Sequence, residues 1–137
     1  MGYKYHDLFS LVKNTKGLCS DSRLIQPGEC FFALNGLTHK GSKFIADAIK
    51  QGACYAVSDD ADFADQPQVV YVENVKEALQ FCCQKFYTNL PKYLVAVTGT
   101  NGKSSIVSYC CQIMNLLGVP AASIGTLGIF VGNDEFK

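Results

Sequence analysis

One stretch constrains this chain more than any other, and it lies near the C-terminal end. Leu94, Val95, Ala96 and Val97 form an unbroken apolar run, short enough for a buried strand. Thr98-Gly99-Thr100-Asn101-Gly102-Lys103-Ser104 follows, and then a helical pattern with Ile106, Cys110, Ile113 and Leu117 on one stripe. Ser105, Ser108, Gln112 and Asn115 fall away from that stripe, and Gly118 and Pro120 end the helix. Strand, glycine loop, Lys-Ser and helix are the order a polyphosphate cradle requires. Glycines let backbone N–H groups converge on phosphate oxygens, and the helix N-terminus adds partial positive charge. A lysine at position 103 would neutralise the β- and γ-phosphates, and the Ser104 hydroxyl could ligate Mg²⁺. The strict loop pattern places a further glycine where this chain has Val97, so the match is to a variant. A chance glycine-rich turn between a strand and a helix is the plain alternative.

Upstream, the pattern is that of an α/β domain. A short amphipathic helix carries Leu8, Phe9, Leu11 and Val12 and ends near Gly17. Ser20 to Arg23 forms a polar loop, Pro27-Gly28 a turn, and residues 30–34 a buried strand. Ser42 is placed to cap a helix with Phe44, Ile45, Ala48 and Ile49 on its inner face, closed by Gly52. Residues 53–57 and 69–72 read as further strands, joined by an acidic, Pro-containing loop. Asn74 and Glu77 resemble a capping box opening a helix to about Tyr87, with Val75, Ala78, Leu79, Cys82 and Phe86 inward. Alternation of strands and helices predicts a mainly parallel sheet. Residues 89–92 read as a linker. The expected organisation is therefore a small N-terminal α/β domain over 1–88 and, over 89–137, the beginning of a P-loop ATPase domain.

Composition narrows the function classes. The chain is 48% hydrophobic and 18% charged, a balance that supports a packed core and argues against disorder. Zero formal net charge with scattered Lys and Arg gives no footprint of a nucleic-acid binder. No apolar run approaches the ~20 residues of a membrane span, and the N-terminus lacks a signal-peptide pattern, so a cytoplasmic protein is expected. The seven cysteines form no C-x-x-C pair, and only His6 and His39 could join them, so they read as small core residues in a reducing compartment rather than metal ligands.

The loop from Thr98 to Ser104 is similar to the T-G-T-N-G-K-[ST] variant of the Mur ligases, which also lacks the strict first glycine. The N-terminal half agrees independently. Asp21-Ser22-Arg23, Pro27-Gly28-Glu29, Phe31-Phe32-Ala33-Leu34, Gly36 and Gly41 resemble that family's D-S-R…P-G-[DE]-x-F-x-A-x-x-G…G segment, and Gly125-Thr126-Leu127-Gly128 its G-T-[LV]-G element. Within the family the combination resembles the ligases that add the third residue of the stem peptide. The resemblance implies ATP and Mg²⁺ as cofactors, with Gly99, Thr100, Asn101, Gly102, Lys103, Ser104 and Ser105 at the nucleotide, Lys103 in the catalytic role and Ser104 on the metal. It implies that UDP-N-acetylmuramoyl-L-alanyl-D-glutamate and a diamino acid, diaminopimelate or lysine, are joined through an acyl phosphate. It further implies that Ser20, Ser22, Leu37, Thr38 and His39 hold the UDP end. Read from the residues alone, Ser22 is equally a turn serine and His39 a solvated loop residue, while Arg23 could meet a phosphate or simply Asp21.

The family's later elements, including its carbamylated lysine and amino-acid-binding domain, have no counterpart in this sequence, so the polypeptide by itself is expected not to catalyse ligation. Two other readings stay open: a small P-loop kinase or NTPase, which leaves the Asp-Ser-Arg segment unexplained, and a non-catalytic binder of nucleotides or UDP-sugars.

Overall fold

The structure is a computed structural model that describes residues 3–132 and 134–136. It divides into two compact units, Met1–Leu90 and Pro91–Lys137.

The first unit is built on four parallel strands, β1 (Leu18–Cys19), β2 (Cys30–Phe32), β3 (Tyr55–Ser58) and β4 (Val69–Tyr71), ordered in space as in sequence. Successive strand residues point to opposite faces, and both faces are covered, which explains the unbroken apolar runs. Cys30, Phe32, Val57 and Val70 pack with helices α1 (Tyr5–Val12) and α3 (Val75–Phe86), through Leu8, Val12, Val75, Ala78 and Cys82. Phe31, Ala33, Ala56 and Val69 pack on the other face with Ile45 and Ala48 of α2 (Ile45–Lys50). The result is a three-layer α/β/α unit. The two-residue strand β1 was absent from the sequence reading; Leu18 and Cys19 earn the name only by pairing with Cys30 and Phe31.

Local signals act as the sequence predicts at several ends. The Asn74 side chain accepts the N–H groups of Lys76 and Glu77 at the start of α3. Glu77 closes this box by accepting from the Asn74 side-chain amide at 3.0 Å and receives the Tyr5 hydroxyl at 3.1 Å, tying α1 to α3. Gly52 follows α2 with φ +104°, in the left-handed region. Ser42, by contrast, caps nothing. It lies inside a short 3₁₀ turn, Gly41–Phe44, and its hydroxyl donates to the Asp60 carboxylate at 2.8 Å. Phe44, expected on the inner face, is exposed.

The second unit departs further. Residues 94–97 form no strand, and Leu94 and Val95 are exposed. A parallel strand exists only through a neighbour's ladder, and no described segment pairs with this one. Helix α4 (Lys103–Leu116) forms as expected and Gly118 ends it at φ +76°, but its covered face is not the apolar stripe. The Asn115 side chain accepts the Ala121 N–H at 3.0 Å and donates to its carbonyl at 3.3 Å. That clamp turns the chain back onto the side of Val107, Ser108, Cys111 and Asn115, leaving Ile106, Ile113 and Leu117 exposed. Strands β5 (Ala122–Gly125), β6 (Gly128–Val131) and β7 (Asp134–Phe136) then form an antiparallel meander. Strands β6 and β7 pair antiparallel, and Gly132, in the hairpin turn predicted at residues 132–133, has φ +65°; Asn133 lies outside the described residues.

The cysteines are free. Cys30, Cys82 and Cys111 are buried, whereas Cys54 and Cys110 are exposed, so the core reading holds for only part of the set. Burial pushes the Cys30 thiol up and the Cys82 thiol to about 11, so neither offers a thiolate near neutrality. Among the described residues no group of His, Cys, Asp and Glu could hold a metal ion, and no helix is long and apolar enough to cross a membrane.

Gly41 carries a sharp constraint, since a Cβ there would fall 2.4 Å from the Ala33 and Leu34 carbonyl oxygens. Gly41→Ala is expected to lower stability by about 2–4 kcal/mol, as overpacking against backbone does. At Gly36 the nearest atom would be 3.7 Å away, and Gly36→Ala should change stability by less than ~1 kcal/mol. Urea-denaturation midpoints of the two variants should differ accordingly.

Candidate functional site

All four strands of the first unit are parallel, so the loops that follow β1, β2 and β3 emerge at one edge of the sheet. Open α/β sheets place ligands at that carboxyl edge. Here it holds a cleft of about 510 Å³ lined by Ser20, Asp21, Ser22 and Arg23 after β1, by Phe31 and Leu34 of the β2 segment, and by Gly41 and Phe44. Two of the predicted residues, Ser20 and Ser22, thus share one cleft. Leu37, Thr38 and His39 do not line it. They form the exposed tip of the loop whose two stems, Leu34 and Gly41, do. The tip is closed on itself by a hydrogen bond from the Gly36 N–H to the His39 carbonyl at 3.0 Å.

The Arg23 side chain pairs with Asp21. Its Nε donates to Asp21 Oδ1 at 2.9 Å and its Nη2 to Oδ2 at 2.6 Å, a two-point fork between guanidinium and carboxylate. The Arg23 N–H also donates to Asp21 Oδ1, at 3.0 Å. Those bonds hold the Asp21 carboxyl at about 2, well below its usual range. The fork brackets Ser22, which sits between its two partners. Phe31, Leu34, Gly41 and Phe44 were read from sequence as core or turn residues. Their part in the cleft follows from strand order, which sequence does not print.

In the second unit, Gly99 and Gly102 adopt φ +149° and +75°, values only glycine takes without strain. Gly102 is the N-cap of α4 and no side chain caps that end, which leaves the first-turn N–H groups of Lys103, Ser104 and Ser105 to point along the helix axis. The Lys103 ammonium reaches back to donate to the carbonyls of Gly99 and Thr100, the latter at 3.2 Å, bringing positive charge over the loop. Lys103 and Ser104 border a cavity of about 380 Å³ whose other walls include Val97, Val107, Ser108 and the β5–β6 hairpin from Ser123 to Gly128. The Gly125-Thr126-Leu127-Gly128 element is the turn of that hairpin, with Gly128 at φ +120°. Thr100, Asn101 and Ser105 are exposed and do not line the cavity. Glycines at positive φ, uncapped amides and a lysine together suit an anionic phosphate chain.

Comparison with known proteins shows the family. The family model described as Mur ligase family, catalytic domain, matches residues 14–87, more than half of the chain and wholly within the first unit. A protein of Rickettsia bellii named UDP-N-acetylmuramoyl-L-alanyl-D-glutamate--2,6-diaminopimelate ligase is 46% identical over 125 residues, covering 90% of this chain and 25% of that protein. A solved structure of a ligase with the same name superposes with a TM-score of 0.62 at 25% identity, over 88% of this chain and 26% of that one. The MurF ligase of Thermotoga maritima in complex with ADP shares the fold, with a TM-score of 0.61 at 22% identity over 74% of this chain and 24% of that one. The chain spans about a quarter of the length of the curated relatives it matches. On the strength of the family match, which runs through the parallel sheet and its carboxyl-edge loops, the chain belongs to the Mur ligase family.

Proposed function

We propose that this chain supplies the UDP-substrate cleft and the triphosphate loop of a cytoplasmic, ATP-dependent ligase. That ligase joins diaminopimelate to UDP-N-acetylmuramoyl-L-alanyl-D-glutamate in peptidoglycan synthesis. The observation that carries the reading is the 46% identity over 125 residues, a stretch too long for the first unit alone, to a ligase of that name. The same similarity favours diaminopimelate over lysine as the diamino acid.

In this reading the hydroxyls of Ser20 and Ser22 hold the uridine end, with the Asp21–Arg23 fork keeping Ser22 in place, and Leu37, Thr38 and His39 stand at the rim. The glycine loop and the first turn of α4, Gly99 through Ser105, take the triphosphate through backbone N–H groups. Lys103 balances charge on the phosphates, and Ser104 would contribute one oxygen to Mg²⁺. ATP supplies the activation that a carboxylate needs, because a carboxylate is a poor electrophile without a better leaving group.

Three expectations follow from these roles. Calorimetric titration of the chain with the UDP-muramoyl dipeptide, and with UDP alone, should give saturable binding that Ser22→Ala weakens roughly tenfold, the worth of one hydrogen bond to a polar ligand. A folded wild-type chain that binds neither compound would remove the substrate half of the proposal. Titration with ADP should give binding that Lys103→Ala weakens by roughly 10- to 100-fold, as loss of a charge-assisted bond does. Equal affinity in the variant would leave the lysine without its assigned role.

The third expectation concerns pH. A carboxylate whose folded pKa is depressed keeps its fork above the unfolded value of 3.8 and loses it as pH falls through about 2. A carboxyl NMR titration of Asp21 should therefore show a midpoint of about 2, returning toward 3.8 in Arg23→Gln. A wild-type midpoint near 3.8 would mean that the fork does not order the loop in solution.

A further inference from the structure

Two buried polar side chains stand out among the described residues, Ser42 and Ser58, and both are spent on the same residue. Ser42 Oγ donates to Asp60 Oδ2 at 2.8 Å, and Ser58 Oγ accepts the Asp60 N–H at 3.1 Å. Asp60 Oδ1 accepts the Asp62 N–H at 3.3 Å, and the Lys40 ammonium lies 3.6 Å from Oδ2. Its neighbour Asp59 is equally occupied. Asp59 Oδ1 accepts from the Asn35 side-chain amide at 3.0 Å, and Oδ2 accepts the Val75 N–H at 3.5 Å. Asn35 then uses its own Oδ1 to accept the Gly41 N–H at 3.0 Å.

Both ends of the loop after β2 are therefore tied to two consecutive aspartates at the end of β3: Asn35 to Asp59, and Lys40 and Ser42 to Asp60. Burying a hydroxyl costs free energy unless its partner is in place, and no buried side-chain polar atom among the described residues lacks one. The first unit has abundant apolar surface for its core, so a polar network at this edge is not needed to drive collapse. What it does is fix one loop in one shape, and the stems of that loop, Leu34 and Gly41, are walls of the cleft that holds Ser20 and Ser22.

We propose that Asp59 and Asp60 are positioning residues for the ligand of this cleft, acting through Asn35 and Ser42 to hold loop 35–42 in its binding shape. The proposal rests on the reading that the cleft takes the UDP end of the substrate. Neither aspartate lines the cleft, so each acts through the loop and not by contact.

The test has two arms on the same samples. Amide hydrogen exchange reports loop order at Gly36 and Gly41, whose N–H groups are bonded within the loop, with Ala33 and Ala56 of the sheet as internal references. Calorimetry with UDP reports the cleft. Asp60→Ala should speed exchange at Gly36 and Gly41 at least tenfold, leave Ala33 and Ala56 unchanged, and raise the Kd for UDP at least tenfold. Asp60→Asn keeps an acceptor for Ser42 and should recover most of both effects. Asn35→Ala removes the Asp59 link together with the acceptor of the Gly41 N–H, so Gly36 is its loop probe; it tests the idea should Asp60→Ala fail to fold, and it should show faster Gly36 exchange and weaker UDP binding in smaller measure. The proposal is overturned if the loop amides keep their protection in these variants, or if they lose it while UDP affinity stays unchanged. A wild-type chain that does not bind UDP overturns the ligand reading and the cleft half of this proposal, while the exchange arm still decides whether the aspartates order the loop.

Discussion

A parallel sheet covered on both faces carries mostly apolar side chains in its strands, and polar groups gather at its ends, as Ser58 does at the end of β3. That constraint shapes the first unit. Cys30 and Phe32 face one helical layer while Phe31 and Ala33 face the other, leaving no position within β2 for a polar group that binds a ligand. Chemistry is displaced into the loops after β1, β2 and β3, and because the strands run the same way these loops meet. The cleft is thus a consequence of strand direction. Its polar residues are the first ones the chain reaches on leaving the core.

The same constraint explains which parts were legible in the sequence. Strands β2, β3 and β4 announced themselves as short apolar runs bounded by turns, because double burial leaves them no alternation. Gly52 and Asn74 were legible because each acts within a few residues of itself, one by tolerating φ +104° and the other by accepting two nearby N–H groups. Ser42 misled for a corresponding reason. A serine before an apolar stripe has the signature of a cap, but its partner, Asp60, lies 18 residues away and is brought near only by the fold. Strand β1 was invisible because two residues carry no periodicity.

The second unit shows the limit from the other side. The glycine loop and α4 formed where the sequence placed them, since helix, left-handed glycines and Lys103 over the loop are all local. Residues 94–97 are as apolar as any strand in the first unit and yet pair with nothing described, because β structure is a property of two segments and not of one. The face of α4 was likewise decided by Asn115 and Ala121, a polar clamp that outweighed the more hydrophobic stripe. Hydrophobic periodicity says which face can be buried, but the connection that follows the helix says which face is.

The two sites differ in how they could recognise a ligand, and the difference is electrostatic. In the cleft of the first unit the charges are already paired. Arg23 is committed to Asp21, and at the cleft's rim Lys40 lies beside Asp60. Beside these pairs, that cleft offers hydroxyls, backbone groups and apolar walls, which select a ligand by shape and hydrogen-bond pattern. At the glycine loop the balance is reversed. Among the described residues Lys103 has carbonyl oxygens as partners, and carbonyls cannot neutralise an ammonium as a carboxylate does. A positive charge, uncapped amides and a helix N-terminus there point the same way, and a phosphate chain would satisfy all three at once. The proposed UDP-linked substrate and triphosphate would make these two separate demands, one on each unit.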